Sequence, residues 1–175
     1  MIRKKILGLW LLCSLTWLLT ACISDNDSDP STPEVEVGNT LPDFYVLSYE
    51  SMPYAPSFLR GKRSVIVFFH TECPDCQREL PIVNELYLAH REEPTFALIC
   101  IASEESAKEI LPFWQKHNLQ MPFSPQPDRA VYSRFANSRI PRIYISDGDL
   151  RVRYIHTDFR MPDLETLEKE LGSLE

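Results

Sequence analysis

Cys73 and Cys76 stand three residues apart in His70-Thr71-Glu72-Cys73-Pro74-Asp75-Cys76-Gln77-Arg78-Glu79-Leu80-Pro81. The apolar run Val65-Ile66-Val67-Phe68-Phe69 precedes them and an amphipathic stretch follows. This pattern predicts a buried strand that enters a helix through a tight turn, with both thiols at the helix start. Thiol exchange needs an exposed, ionisable sulfur as attacker and a second sulfur close enough to resolve the mixed disulfide. A two-residue spacer at a helix start supplies both. Cys73 falls at the N-cap, where free backbone N–H groups and the helix dipole favour a thiolate. Cys76 lies one turn in and is more shielded, and Pro74 suits the first helical position. The expected roles are Cys73 as nucleophile and Cys76 as resolver.

Glu72 and Asp75 bracket Cys73 with carboxylates, which disfavour a nearby thiolate and partly oppose the dipole. A less stable thiolate means a more stable disulfide, so these acids predict a reductant rather than a strong oxidant. The alternative is that both acids face water and simply favour the helix N-terminus.

The elements that hold this pair belong to a chain of 175 residues, one domain's worth, with 44% apolar and 25% charged residues. That balance is ordinary for a globular protein. The N-terminus is different. Arg3, Lys4 and Lys5 form a positive head, and Ile6 to Leu19 is an apolar run too short to span a bilayer. Leu19-Thr20-Ala21-Cys22 resembles a bacterial lipoprotein box. The resemblance implies a signal peptide over 1–21 and lipidation of Cys22, which would anchor the protein in the cell envelope. An ordinary signal with an incidental cysteine is the alternative. Loss of residues 1–21 removes three cations and no acid, so the formal charge moves from −7 to −10. Such an acidic domain repels nucleic acid, and that class of partner is excluded. Of five cysteines, the lipoprotein resemblance implies that Cys13 leaves with the signal and Cys22 carries lipid. The remaining three would then lie in a compartment where disulfides persist.

Residues 22–37 are rich in Ser, Asp and Pro with little to bury, and read as a flexible tether. The folded domain is expected over 38–175, as a mixed α/β sheet flanked by helices. Strands are predicted over 45–49, 64–69, 95–101, 143–146 and 152–156. A turn is expected over 58–62, and Asp147-Gly148-Asp149 signals a hairpin. Helices are predicted over 74–91, 104–117, 127–135 and 163–171. Pro81 and Pro112 lie inside two of them, where each removes an internal hydrogen bond. Leu80, Val83, Leu86, Tyr87 and His90 share one face of the first.

From Gly38 to Leu171 the chain resembles thioredoxin-like proteins, above all the TlpA/ResA-like membrane-anchored thiol–disulfide oxidoreductases. The residues that carry the resemblance are Gly38-x-x-Leu41-Pro42-x-Phe44, Leu59-Arg60-Gly61-Lys62, Cys73-Pro74-Asp75-Cys76-Gln77-Arg78-Glu79-Leu80-Pro81 and Arg139-Ile140-Pro141-Arg142-Ile143-Tyr144-Ile145. It implies a thioredoxin-like fold and a redox-active Cys73–Cys76 disulfide. It implies a cis Pro141 beside the dithiol, with substrate pairing to the backbone just before it. A trans proline opening a strand is the alternative. Glu79 matches the family's acid after the dithiol, implying proton transfer, though a solvent-facing helix glutamate would read the same. Two departures stand out: Glu72 replaces the usual Trp before the first cysteine, and Val67 or a neighbour replaces the buried acid on the preceding strand. The function expected is an extracytoplasmic thiol–disulfide oxidoreductase acting in the reducing direction on partner proteins. No cofactor or metal is expected. The partners would be protein thiols and disulfides, an electron donor and the membrane, and the protein would be a monomer.

Two rivals use the same residues. His70 with the pair forms His-x-x-Cys-x-x-Cys, which invites a metal. Sco-like copper proteins share the fold, but they use a three-residue spacer and a distant histidine, for which only His156 offers itself. Peroxiredoxins place a threonine near the reactive cysteine, as Thr71 is near Cys73, yet the spacing is off by one. Cys100, in Phe96-Ala97-Leu98-Ile99-Cys100-Ile101, reads as a buried core thiol.

Overall fold

Two halves of a sheet meet at the dithiol. The computed structural model describes residues 34–174; the expectations for 1–21, Cys22 and the tether up to residue 33 lie outside them. Elements run in the order β1 (Val46–Leu47), β2 (Pro53–Tyr54), α1 (Pro56–Leu59), β3 (Arg63–Phe69), α2 (Pro74–His90), β4 (Phe96–Ala102), α3 (Ala107–Lys116), β5 (Phe123–Ser124), β6 (Arg142–Ser146), β7 (Val152–Thr157) and α4 (Leu164–Gly172). The central sheet has the order β5-β4-β3-β6-β7. β3, β4 and β5 are mutually parallel, whereas β6 runs antiparallel to β3 and β7 antiparallel to β6. The carboxyl end of β3 and the amino end of β6 therefore share one edge. The residues that follow Phe69 and those that precede Arg142 are brought together there.

β3 and β4 are buried at every position, because both faces of the sheet are covered. Alternation sorts their side chains. Val65, Val67, Phe69, Leu98 and Cys100 face α2, α3 and α4 through Leu80, Val83, Ile110, Trp114, Leu167 and Leu171. Ile66, Phe68, Ile99 and Ile101 face the N-terminal segment, α1 and a one-turn 3-10 helix at Tyr132–Arg134. Each fully buried aliphatic or aromatic side chain contributes about 1.5–3 kcal/mol, and two such layers fix the strand ends that carry the site. Gly61 turns the chain into β3 with φ +79°, a left-handed conformation that glycine adopts without cost. A Cβ on Gly148 would lie 3.3 Å from the Gly61 Cα, a tight approach to the backbone of that turn.

Several predicted elements are shorter. The strand expected over 45–49 is only β1; Tyr45, Leu47 and Tyr49 are exposed, and Tyr49 turns to stack on Phe123 at 5.2 Å. One turn of helix, α1, precedes the turn expected over 58–62. The helix expected over 104–117 starts at Ala107, because Ser106 and Glu109 form a capping box that fixes the first turn. Only the 3-10 turn stands where 127–135 was expected to be helical. β5 carried no sequence signal. The α2 helix continues through Pro81.

α4 is held by polar clamps. Asp163 caps it, accepting the Thr166 N–H at 2.9 Å. His90 bridges Glu93 and Glu168 at 2.7 Å each, joining α2 to α4. Burial lowers the His90 pKa, but the hydrogen bonds to Glu168 and Glu93 outweigh it and the net shift is upward. Among the described residues no helix is long and apolar enough to cross a membrane.

Candidate active site

Cys73 is the N-cap of α2, with extended backbone (φ −75°, ψ 119°), and Pro74 takes the first helical position. The turn before it closes through the Cys73 N–H donating to the His70 carbonyl, 3.1 Å. The first helical bond, from the Gln77 N–H to the Cys73 carbonyl, is 3.0 Å. Cys73 is half-buried and Cys76 fully buried. Burial pushes the Cys76 thiol far up, and the adjoining Cys73 sulfur adds to this, against a smaller opposing contribution from the His70 backbone. One sulfur thus meets solvent while the other is held protonated behind it.

Across the sheet edge, the Cys73 Sγ donates to the Ile140 carbonyl at 3.7 Å. The Ile140–Pro141 peptide bond is cis. The loop that presents this carbonyl is fixed from both sides. Arg139 has φ +77°, uncommon for a non-glycine residue. Its carbonyl accepts the Tyr132 hydroxyl at 2.6 Å. Its guanidinium lies 3.8 Å over the Phe159 ring and 3.3 Å from Asp158. Phe159 is 77% exposed, so an aromatic and an arginine stand together at the loop that presents the Ile140 carbonyl. Sequence reasoning passed over Phe159 and named Arg139 only as part of the stretch around Pro141.

Glu79 is not on the solvent side of α2. It is 1% exposed, and neither carboxylate oxygen has a hydrogen-bond partner among the described residues. Burial alone raises its pKa from the ordinary value near 4.5 to about 7. The solvent-facing alternative is thereby overturned. Helical periodicity could not reveal this, since only tertiary packing decides which flank of the apolar stripe is covered. The acids expected to bias Cys73 also differ from each other. Glu72 is exposed, and Asp75 is engaged by the Arg78 guanidinium. The carboxylate of Asp75 is thus partly neutralised by its neighbour.

Thr71 and His70 serve a different partner. The Thr71 N–H donates to Glu105 at 2.7 Å and its hydroxyl also donates to Glu105. The hydroxyl is therefore committed away from Cys73, which removes the geometric basis of the peroxiredoxin alternative. His70 Nδ1 accepts the Glu72 N–H at 3.2 Å and lies 3.5 Å from Glu105. His156 sits in β7 opposite Ile143 and binds Glu170 at 2.6 Å, so it is engaged with α4. Among the described residues no group of three or more His, Cys, Asp or Glu side chains is arranged to hold a metal ion. Cys100 lies in β4 between Val67 and Phe123, and burial pushes its thiol up. Glu105 was missed in the sequence. It stands in Ser103-Glu104-Glu105-Ser106, at the start of the helix expected over 104–117, but α3 begins only at Ala107 and leaves it in the preceding connection.

The chain is similar to ResA of Bacillus cereus, a thiol–disulfide oxidoreductase, at 24% identity over 119 residues, 68% of each chain. It is similar to ResA of Geobacillus kaustophilus at 26% identity over 140 residues, 80% of this chain and 79% of that one. Among solved structures, a thiol:disulfide interchange protein of Chlorobium tepidum superposes with a TM-score of 0.66 at 16% identity, over 81% of this chain and 99% of that one. StoA of Bacillus subtilis gives a TM-score of 0.63 at 17% identity, over 79% and 98%. These superpositions show a thioredoxin-like fold. A family model described as Redoxin matches residues 36–171, nearly the whole described chain, and the protein therefore belongs to the Redoxin family.

Proposed function

We propose that this protein is a thiol–disulfide oxidoreductase that works outside the cytoplasm, tethered by lipid on Cys22, and reduces disulfides in partner proteins. The observation that carries the reading is the inequality of the two sulfurs: Cys73 meets solvent beside the Ile140 carbonyl, and Cys76 is buried with its thiol pushed up. The thiolate of Cys73 attacks one sulfur of the substrate disulfide. That bond breaks, a Cys73–substrate disulfide forms, and the departing thiolate takes a proton. Cys76 then gives up its proton and attacks the Cys73 sulfur, releasing the second substrate thiol. Glu79, with a pKa of about 7, is matched to accept the Cys76 proton. The substrate gains two electrons and two protons, the protein retains a Cys73–Cys76 disulfide, and a separate electron donor must reduce it again. The open backbone before Pro141 is where an extended substrate segment would pair.

The burial of Cys76 supports the reducing direction. A thiol that ionises reluctantly supplies no stabilised thiolate to favour the dithiol, in contrast to strong oxidants, whose reduced form is stabilised. Equilibration with glutathione, followed by mass detection of the two states, is expected to give a potential nearer the roughly −270 mV of thioredoxin than the roughly −120 mV of a strong periplasmic oxidant. A value near the latter overturns the direction. The location has its own test. Cys22→Ala in the full chain is expected to move the protein from the membrane fraction to the soluble fraction and to abolish labelling by a fatty-acid probe; unchanged fractionation overturns the anchor.

A further inference from the structure

A second buried carboxylate lies beneath the turn that carries Cys73, supplied by a different part of the chain. Glu105, between β4 and α3, is 2% exposed. It accepts both the amide and the hydroxyl of Thr71, and His70 Nδ1 lies 3.5 Å away. Thr71 in turn accepts the Gln77 side-chain amide at its carbonyl, 2.8 Å. The turn before Cys73 and the first helical turn after it are thus tied to one carboxylate. The backbone is bent to deliver that group. Glu104 adopts φ +65°, and Glu105 pairs with Gln126 in an isolated antiparallel bridge. Non-glycine residues in this conformation are sparse and cost free energy, which surrounding structure must offset. Burial of a carboxylate is likewise unfavourable unless hydrogen bonds compensate. Here every compensating bond falls on residues next to the nucleophile.

We propose that Glu105 is a positioning residue for thiol exchange at Cys73, a reading that rests on the redox function proposed above. No proton or electron passes through it, and it touches no reacting atom. It holds Thr71, and through the short bonds of the turn it sets where the Cys73 sulfur stands against the Ile140 carbonyl. Exchange requires the attacking, central and leaving sulfurs to align. A displacement of about 1 Å in such an arrangement can cost roughly 100-fold in rate.

The test uses the reduced full-length protein and two probes: oxidised glutathione as the disulfide, and iodoacetamide alkylation of Cys73 across pH. Glu105→Ala is expected to slow glutathione disulfide reduction roughly 10- to 100-fold and to displace the pH midpoint of Cys73 alkylation. Glu105→Gln keeps an oxygen to accept the Thr71 N–H and an amide to donate to its hydroxyl. It is expected to restore the rate to within about threefold of wild type, by the same geometric argument. A folded Glu105→Ala with wild-type rate and midpoint overturns the proposal. So does a Glu105→Gln variant as slow as Glu105→Ala, since that assigns the effect to charge. If Glu105→Ala does not fold, Thr71→Val against Thr71→Ser decides. A slow Thr71→Val with a normal Thr71→Ser supports the positioning role, and a normal Thr71→Val overturns it. Alkylation needs no disulfide partner, so a wild type that reduces no disulfide sinks the redox function without touching this result.

Discussion

Cys73→Ser is expected to lower disulfide reduction at least about a thousand-fold, because the alcohol that replaces the thiol is hardly ionised at neutral pH. Cys76→Ser should behave quite differently. Its Cys73 can still attack, but nothing behind it can resolve the product, so the variant should complete one half-turnover and stop as a mixed disulfide. Non-reducing gels of cells expressing Cys76→Ser should show new bands of higher mass that collapse on reduction. The double variant and Cys73→Ser should show none. Mass spectrometry of the trapped species names the partners. The pattern would be reversed if Cys76 were the attacking sulfur, an outcome that its complete burial argues against. Trapping in neither single variant would remove the exchange mechanism altogether.

Glu79→Gln should change both the pH profile and the stability. With a folded pKa of about 7, Glu79 gains its charge near neutral pH, and the rate of the resolving step should rise through that range. Glu79→Gln should lose that rise and fall roughly 100-fold at pH 8, the ordinary size of a general-base contribution. The stability effect has the opposite sign. The folded pKa lies above the unfolded value near 4.5, so the favourable contribution is complete below about 4.5 and disappears as pH rises through 7. At about 1.36 kcal/mol per unit, the wild type should lose on the order of 3 kcal/mol from this group across that window. Urea unfolding at pH 5 and pH 8.5 measures it. His90, whose pKa is also raised, contributes in the same direction, so the informative quantity is the difference between wild type and Glu79→Gln. An equal pH slope in both proteins would show that Glu79 is not a buried, unpartnered acid in solution.

How much of this was legible in the sequence depended on distance along the chain. The strand, turn and helix around the dithiol are local, and their periodicity and N-terminal proline were sufficient to place them. Thioredoxin-like topology came from resemblance at four short stretches, and the five-stranded sheet agrees with it. Burial of Glu79 was not readable, because it depends on which helix flank the sheet edge covers. Glu105 was less readable still, since it fell inside the helix expected over 104–117 and its partner Thr71 lies in a distant connection. The bias assigned to Asp75 was too simple: Arg78, one turn on, engages it. Tyr45 to Tyr49 alternates like a strand, yet its ladder with Pro53 and Tyr54 is two residues long, and the sequence carries no measure of that.

The antiparallel join of β3 to β6 has a consequence for the unfinished chain. Val67 lies opposite Ile143, and that pairing carries the Ile140 carbonyl to Cys73. A nascent chain that has emerged only as far as β4 already exposes both thiols but lacks the backbone that would select an extended partner. Pairing segments so far apart in the chain requires a long intervening loop to be closed first, at a cost in entropy. If substrate pairs before Pro141 as proposed, the dithiol of such a chain lacks its docking backbone. On that reading selectivity arrives with β6, after both thiols are made.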